Sequence, residues 1–327
     1  MHANRDNFER SRPSRARYAA GSGADAAPHG PLRRSPASSM PIASHATPPE
    51  RLDFTALTDR HEAILFDAYG VLVNAAGALP GAADAVAHLL ARDQPFLVVT
   101  NDASRSPERA AARFTRLGIP VRPEHVLSSG MLIAPALEAH GMRGQRVVVL
   151  GTGDSAHYAR QIGATVVHPD PGDPADAVVI ADEGGFDTLG MLDDTLSMIH
   201  AALARGQRPV LLLANPDLVY PSGAGTFGLT AGSLAGMLER ALALLVGPDA
   251  PTFEVLGKPA ARHFEAALER VATRNAVMLG DTLHTDIAGA RTVGIASAIV
   301  LTGVTTEAQV AVAGAHAPTY LLDGLQW

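Results

Sequence analysis

The sequence predicts an α/β fold in which a parallel sheet is covered by helices. From Glu62 onward, short apolar runs rich in β-branched residues alternate with segments rich in Ala and Leu. In those segments apolar residues recur at the three- and four-residue spacing of amphipathic helices. Strands of a parallel sheet are buried on both faces and therefore form continuous apolar runs. The alternation of the two patterns is typical of a parallel sheet with helical crossovers.

The strand and helix candidates follow one another along most of the chain. The predicted strands are residues 63–66, 96–100, 146–150, 177–180, 209–214, 276–279 and 297–301. The predicted helices are residues 82–92, 107–117, 132–139, 188–205, 234–245, 259–271 and 285–293. The second of these helices has clear ends, because Ser106 supplies an N-cap, Pro107 fits the first helical position and Gly118 follows the last turn.

Composition excludes several classes of protein. The chain has 327 residues, 47% of them hydrophobic, which allows about two domains of ordinary size. Its net charge of −7 argues against nucleic-acid binding, which depends on clustered basic residues. No apolar run approaches the roughly 20 residues of a membrane span, so we expect a soluble protein without a membrane partner. The absence of Cys excludes disulfides and thiolate zinc sites and fits a reducing compartment, so we expect a cytoplasmic location.

Residues 1–51 are predicted to be a disordered tail. They carry several Arg among Ser, Pro, Gly and Ala, and they show no sustained apolar periodicity. Two alternatives remain from the sequence. The segment is also Arg- and Ser-rich as transit peptides are, although Pro and Gly interrupt any amphipathic helix, and translation could instead begin at Met40.

Polar residues follow four of the apolar segments. The first predicted strand ends at Asp67, and the second ends at Thr100 and Asn101. Two later segments supply the remaining members of the set: Lys258, Asp281 and Asp286. Ligands of open parallel sheets bind at the carboxyl ends of the strands. We therefore expect these four segments to converge on one site.

In this order the four segments resemble the four motifs of the haloacid dehalogenase (HAD) superfamily of phosphohydrolases, across residues 62–303. The insertion after the second motif resembles the class IIA cap of NagD-type nucleotide phosphatases and pyridoxal phosphate phosphatase. Within it, A-N-P-D-L-V-Y-P and G-T-F-G-L-T-A-G-S-L are similar to that group's cap segment and its return to the core. The resemblance implies a Rossmann-like core, residues 52–128 and 232–320, with an inserted α/β cap at residues 129–231.

The acidic residues suit phosphoryl chemistry. The carboxylate of Asp67 can attack phosphorus to form an aspartyl phosphate, which divides a difficult hydrolysis into two easier steps. Because the phosphate is also anionic, a cation must reduce the repulsion, and magnesium prefers carboxylate oxygens. We predict Mg²⁺ at Asp67 and Asp281, with Asp286 orienting the ligands around the metal. The resemblance implies a further metal ligand in the backbone carbonyl of Tyr69.

The remaining candidates are predicted to bind the substrate. The hydroxyl of Thr100 and the backbone N–H of Asn101 would donate to phosphoryl oxygens. Lys258 would add a compact positive charge, and it is the only Lys among 26 basic residues, which indicates a specific role. In the cap, Asn215 and Asp217 are predicted either to select the rest of the substrate or to stabilise a turn around the intervening proline.

Position 69 departs from the family pattern. HAD phosphatases usually carry a second Asp there, which acts as an acid and then as a base. A phenol titrates near a pH of about 10, so Tyr69 can donate a proton at neutral pH but cannot act as a base. His284, in the loop of the last motif, is a candidate replacement. Tyr at this position also resembles the 2-haloacid dehalogenases, in which a halide leaves without a proton, although Val71 stands where those enzymes usually have Thr.

Three functions therefore remain open, and the first is favoured. It is a magnesium-dependent phosphatase acting on a small phosphorylated metabolite, with the substrate itself undetermined. The second is a 2-haloacid dehalogenase, and the third is a weakly active or inactive relative that binds a phosphorylated ligand for regulation. The resemblance further implies a homodimer that pairs through the cap.

Overall fold

The computed structural model describes residues 48–223 and 226–326. The strands are β1 (Glu50–Arg51), β2 (Ala63–Phe66), β3 (Val73–Asn74), β4 (Gly77–Ala78), β5 (Phe96–Thr100), β6 (Val126–Ser128), β7 (Arg146–Leu150), β8 (Thr165–Val166), β9 (Ala177–Ile180), β10 (Val210–Leu213), β11 (Val219–Gly223), β12 (Thr226–Leu229), β13 (Glu254–Val255), β14 (Ala276–Gly280), β15 (Ala296–Val300) and β16 (Tyr320–Leu322). The helices are α1 (Phe54–Arg60), α2 (Ala82–Ala91), α3 (Pro107–Arg116), α4 (Ile133–Ala139), α5 (Gly153–Arg160), α6 (Thr188–Ala204), α7 (Ala231–Val246), α8 (Ala261–Val271), α9 (Ala288–Thr292) and α10 (Glu307–Ala311).

Two parallel sheets organise the chain. The core sheet has the strand order β1-β16-β15-β14-β2-β5-β6, and the cap sheet has the order β13-β10-β9-β7-β8. Helices α1 to α3 pack on one face of the core sheet and α8 and α9 on the other. The cap sheet lies between α4 and α5 on one face and α6 and α7 on the other. The α/β class predicted from the sequence is confirmed.

The long predicted elements agree with the structure. All seven predicted strands are strands, and six of the seven predicted helices are α-helices with ends shifted by a few residues at most. The seventh, residues 285–293, is instead a π-helix, Leu283–Ile287, followed by the short α9. The wider turn brings the Asp286 carboxylate against Gly280, where a Cβ would lie 2.2 Å from it. Within the described residues, no helix combines the length and the hydropathy that crossing a bilayer requires.

The boundaries of the predicted segments differ from the structure at three places. Residues 50–51, placed in the tail, form β1 and pair with β16; residues 1–47 lie outside the described part of the chain. The cap sheet extends past the predicted end at residue 231, because α7 packs on it and β13 is its edge strand. The core continues past residue 320, since Leu322 and Leu325 are buried in it. Strands of two or three residues are too short to show a periodic pattern in the sequence.

The strand order determines where a ligand can bind. β2 lies between β14 and β5, and the chain proceeds outward from it in opposite directions along the sheet. A crevice therefore opens at the carboxyl ends of these three strands, which is where open α/β sheets bind ligands. The loops that follow β10 and β13 of the cap sheet reach the same crevice, as the contacts of Asp217 and Lys258 show.

Candidate active site

Three carboxylates meet at the carboxyl ends of β2 and β14. Asp67 directly follows β2, Asp281 directly follows β14, and Asp286 lies in the π-helix that comes next. One oxygen of each side chain lies within 4.8 Å of the other two. Because β2 and β14 are paired neighbours, their ends hold Asp67 and Asp281 together, and the π-helix returns Asp286 to them. The acidic residues of the four segments thus converge, as expected for one site.

Lys258 lies between two of these carboxylates. Its Nζ donates to Asp67 Oδ1 at 2.6 Å and to Asp286 Oδ1 at 2.7 Å. The lysine side chain is only 3% exposed, and a charge buried this deeply persists only when it is paired. Since Lys258 follows β13 of the cap sheet and the carboxylates belong to the core sheet, this ion pair also joins the two sheets.

The cluster holds more negative than positive charge. Burial raises the pKa of Asp67 to about 7, although Lys258 lowers it. Burial, helped by a neighbouring carboxylate, raises the pKa of Asp281 and of Asp286 to about 6. Burial acts to lower the pKa of Lys258, but Asp286 and Asp67 outweigh it and raise the pKa overall. Three desolvated acids beside one ammonium favour the binding of an additional cation.

The donor set fits magnesium. Mg²⁺ prefers carboxylate oxygens and commonly takes only one or two of them from the protein. Asp67 and Asp281 offer such oxygens at one point of the crevice. Both oxygens of Asp286 already accept hydrogen bonds, from Lys258 and from the backbone N–H of Thr282. The arrangement is therefore consistent with two ligating carboxylates and one that orients them.

Hydrogen bonds and closely packed glycines position Asp281. Its Oδ2 accepts a hydrogen bond from the backbone N–H of Val304 at 2.9 Å, and its Oδ1 accepts one from the Thr282 hydroxyl at 2.8 Å. A Cβ on Gly70 would lie 2.2 Å from Asp281 Oδ2, and one on Gly303 would lie 2.1 Å from it. These loops need glycine because the carboxylate occupies that space. The Thr-Gly run after β15 was the only sign of this contact in the sequence.

The side chain of Asn101 connects the cap sheet to Lys258. Its Nδ2 donates to Asp217 Oδ1 at 3.0 Å and to the backbone carbonyl of Lys258 at 3.1 Å. Its Oδ1 accepts from the backbone N–H of Lys258 at 2.8 Å. Gly257 permits this approach, since a Cβ there would lie 2.5 Å from Asn101 Oδ1. The amide thus fixes the Lys258 backbone, a contact that sequence reasoning, which considered only the Asn101 N–H, missed.

Thr100 and Asn215 lie beside this network and make local contacts. Thr100 is buried at the end of β5, and its hydroxyl accepts from the backbone N–H of Asp102 at 3.2 Å. Asn215 Oδ1 accepts from the backbone N–H of Asp217 at 3.0 Å, as in a side-chain-stabilised turn. This contact favours the turn alternative for Asn215, whereas the Asp217 side chain reaches into the crevice.

The side chains of Tyr69 and His284 are not part of the carboxylate cluster. The Tyr69 ring packs against the hydrophobic cluster of the core, with the guanidinium carbon of Arg113 6.0 Å from its centroid. Its backbone remains in the turn after Asp67, where Gly70 N–H donates to Val73. His284 is exposed on the π-helix. Burial raises the pKa of Asp217, and His284 is close enough to oppose that rise slightly.

Comparisons with known proteins identify the family to which the chain is similar. A model of haloacid dehalogenase-like hydrolases matches residues 64–165, and a HAD-hydrolase-like model matches residues 255–327. Human chronophin is 32% identical over 84% of this chain and 96% of its own length. D-glycerol 3-phosphate phosphatase of Mycobacterium tuberculosis is 32% identical over 76% of this chain, and the match spans 65% of that relative.

Solved structures agree with the sequence comparisons. A possible sugar phosphatase of the HAD superfamily from Cytophaga hutchinsonii superposes with a TM-score of 0.73 at 30% identity, covering 85% of this chain and 98% of that one. A glycerol phosphate phosphatase from Mycobacterium tuberculosis, in complex with magnesium, gives a TM-score of 0.68 at 28% identity, covering 82% and 76%. With its motifs, its fold and these relatives in agreement, the chain belongs to the haloacid dehalogenase superfamily and, within it, to the class IIA phosphohydrolases.

Proposed function

We propose that this chain is a magnesium-dependent phosphatase that hydrolyses a small phosphomonoester through an aspartyl phosphate on Asp67. The proposal is carried by Lys258, whose Nζ lies 2.6 Å from Asp67 and 2.7 Å from Asp286 in a cluster that includes Asp281. A carboxylate can attack an anionic phosphate only where positive charge offsets their repulsion. The phosphatases among the similar proteins support a small phosphorylated substrate.

The residues of the chain divide the work as follows. An Asp67 oxygen attacks phosphorus, while Lys258 reduces the charge on the nucleophile and on the arriving phosphate. The Thr100 hydroxyl and the Asn101 backbone N–H donate to phosphoryl oxygens, where charge develops in the transition state. Water then hydrolyses the aspartyl phosphate and regenerates Asp67.

Magnesium would be held by Asp67, Asp281 and the backbone carbonyl of Tyr69, with Asp286 orienting the site. When bound, the ion neutralises charge on the phosphoryl group and polarises it. The magnesium complex of the mycobacterial glycerol phosphate phosphatase supports this choice of metal. The presence of Asp281 in the cluster favours phosphate over 2-haloacid substrates, since a departing halide does not need a metal ligand there.

The test is the variant Asp67→Asn, which removes the nucleophile and keeps the size of the side chain. Phosphate release from p-nitrophenyl phosphate and from a panel of phosphorylated metabolites should fall at least about a thousandfold. Chelation of divalent cations should abolish release in the wild type, and added Mg²⁺ should restore it. Asp59→Asn, at an exposed acid paired with Arg92, should leave the rate unchanged.

Two other results would replace this function. Halide release from 2-chloropropionate, without phosphate release, would show a dehalogenase. Thermal stabilisation by a phosphorylated metabolite, without turnover in the presence of Mg²⁺, would show a phospho-ligand-binding regulator.

We further propose that two copies pair through the cap, taken as the cap sheet, α4 to α7 and the β11–β12 hairpin. Large apolar side chains are exposed on and beside the β11–β12 hairpin and on α7: Leu218, Val219, Phe227, Leu229 and Met237. Exposed apolar side chains that group together favour an interaction surface. The cytoplasmic location stays a prediction from the composition.

A further inference from the structure

The Asp67 cluster offers no proton donor for the leaving oxygen of an alkyl phosphate. Its carboxylates are engaged as nucleophile and cation site, and Lys258 is held between two of them. The Tyr69 ring packs against the core, and no hydrogen bond joins its hydroxyl to another described residue. An alkoxide is a poor leaving group unless it is protonated as it departs. A group outside the cluster must therefore supply the proton.

Asp217 is placed to do so. It follows β10 at the carboxyl end of the cap sheet, and its Oδ1 accepts from Asn101 Nδ2 at 3.0 Å. Its backbone is fixed on both sides, because its N–H donates to Asn215 and its carbonyl accepts from Gly232 N–H and from the Thr230 hydroxyl. The Asn101 amide thus bridges the Asp217 carboxyl to the backbone of Lys258, and it holds that carboxyl on the cap side of the crevice.

The direction of attack selects the cap side. Asp67 approaches phosphorus from the core sheet, and in-line displacement places the leaving oxygen on the opposite side of the phosphorus. That side faces the loops of the cap sheet. Among the described carboxyls of those loops, Asp217 is the one that hydrogen-bonds to a residue of the phosphate site.

The surroundings of Asp217 suit a group that must both give and take a proton. The pKa of its carboxyl is raised, because burial outweighs Lys258, the Asn101 amide and His284, which act to lower it. The charge of Asp217 in turn helps to raise the pKa of Asp286. A carboxyl under such opposed influences can hold a proton at the start of the reaction and recover one later.

We propose that Asp217 is the general acid and then the general base of the reaction, a role that rests on the proposed phosphatase function. In the first step an Asp67 oxygen bonds to phosphorus and the bond from phosphorus to the leaving oxygen breaks. The electron pair stays on the leaving oxygen, which takes the Asp217 proton and departs as an alcohol. In the second step water bonds to phosphorus and gives a proton to the Asp217 carboxylate. The bond to Asp67 breaks, its electron pair returns to Asp67, and phosphate is released.

The experiment compares the wild type with Asp217→Asn on two substrates, by rapid mixing with Mg²⁺ present. Nitrophenolate can leave p-nitrophenyl phosphate without first taking up a proton. The leaving oxygen of glycerol 3-phosphate must instead be protonated as it departs. With p-nitrophenyl phosphate, the variant should release one equivalent of nitrophenol per site in a burst as the aspartyl phosphate forms. Later turnovers should be slow, because no base takes the proton of the water that hydrolyses this intermediate. With glycerol 3-phosphate the first turnover itself should slow at least about a hundredfold, without a burst.

Two results would overturn the proposal. Equal slowing of the first turnover on both substrates, without a burst, would show that Asp217 only supports Asn101 and Lys258. Unchanged rates on both substrates would show that it has no part in the reaction. Tyr69→Phe should leave the difference between the substrates as in the wild type, and a first turnover slowed only with glycerol 3-phosphate in that variant would assign the acid to the phenol instead.

Controls separate folding and function from the proton role. Asp182→Asn changes a half-buried carboxyl in another loop of the cap sheet, whose pKa burial also raises, and should not alter the comparison. If Asp217→Asn does not fold, as judged by its melting temperature, Asp217→Ala with added formate should regain turnover, and failure to regain it counts against the proposal. A wild type that releases no phosphate from p-nitrophenyl phosphate or from any member of the metabolite panel would reject the phosphatase function, and the role of Asp217 with it.

Discussion

Lys258 is the residue on which the electrostatics of the site depend most. Its compact ammonium donates to Asp67 and Asp286 over distances below 2.8 Å and is almost entirely buried. A guanidinium is planar and longer, and its fork of donors fits a carboxylate side-on. Lys258 is the only Lys in a chain with 25 Arg. The small space between the Asp67 and Asp286 carboxylates explains why this position has Lys.

Replacing Lys258 by Arg should therefore reduce phosphatase activity although the charge is retained. The guanidinium cannot occupy the space between the two carboxylates without displacing one of them, and a misplaced charge costs about two orders of magnitude or more in rate. Steady-state phosphate release, measured with saturating Mg²⁺, checks this. Arg274→Lys, at an exposed pair with Glu265, should keep the wild-type rate, and a fully active Lys258→Arg variant would contradict the argument.

The residues of the site could be named from the sequence because they follow apolar runs of obvious strand character. Asp67, Asn101 and Asp281 each come directly after such a run. The use of the Asn101 side chain could not be inferred, because its partners, Asp217 and Lys258, lie more than a hundred residues away in the chain. Contacts of that kind depend on how the two sheets are placed.

Among the elements, α8 packs on one face of the core sheet and also bonds to its edge strand, β6. β6 is the last strand of that sheet and has no neighbouring strand on its outer side. His263 Nε2 lies 3.2 Å from the carbonyl of Leu127, and Arg270 Nη1 donates to the carbonyl of Val126 at 3.0 Å. Two side chains of one helix thus bond to carbonyls of the edge strand, which limits pairing with another chain.

This contact predicts a pH effect on stability. Burial, and then Lys258, lower the pKa of His263 to about 3, whereas in the unfolded chain it is about 6.5. Between these values the unfolded state binds a proton that the folded state does not. The free energy of unfolding should therefore fall as the pH is lowered through this window, by up to about 1.4 kcal/mol per pH unit. Urea unfolding at pH 7, 6 and 5 measures the slope.

The carboxylates of the site act in the opposite direction, since burial raises the pKa of Asp67, Asp281 and Asp286. The effect of His263 is isolated by subtracting the slope of His263→Gln, which keeps a donor for Leu127 and does not titrate. That variant should lose less stability than the wild type below pH 6. His157→Gln, at an exposed position, should follow the wild type, and identical slopes in all three proteins would refute the assignment.

The strands that escaped prediction are either short or exposed. β1, β8 and β13 have two residues each, and the β11–β12 hairpin exposes apolar residues that would normally mark a buried strand. A period of two cannot be recognised in two residues, and partners distant in sequence hold these strands in place. Strands of four or five buried residues, in contrast, were located from their apolar runs alone.

At the scale of the whole molecule, the exposed hairpin predicts the oligomeric state. Phe227 is 68% exposed on β12, beside other apolar side chains of the same hairpin. If this surface pairs two copies, Phe227→Glu should convert a dimer to a monomer by placing a charge in an apolar interface. Sedimentation equilibrium measures the change.

The control is Val312→Glu, at an apolar residue that is 82% exposed beyond the end of α10. This variant should remain dimeric because α10 packs on the core sheet and Val312 is not part of the cap. A monomeric wild type, or a dimer that persists in Phe227→Glu, would place the interface elsewhere or exclude it.

The sequence by itself determined the α/β class, the long strands and helices, and the identity of the acids, the lysine and the asparagine that meet in the crevice. It could do so because strand periodicity, helix caps and the residues around each motif are local properties of the chain. The tertiary structure decided that Asn101 holds Lys258, that Asp217 of the cap sheet accepts a hydrogen bond from Asn101, and that Tyr69 packs against the core. These contacts join segments that are far apart in the sequence and that only the packing of the two sheets brings together. No local sequence pattern encodes contacts of that kind.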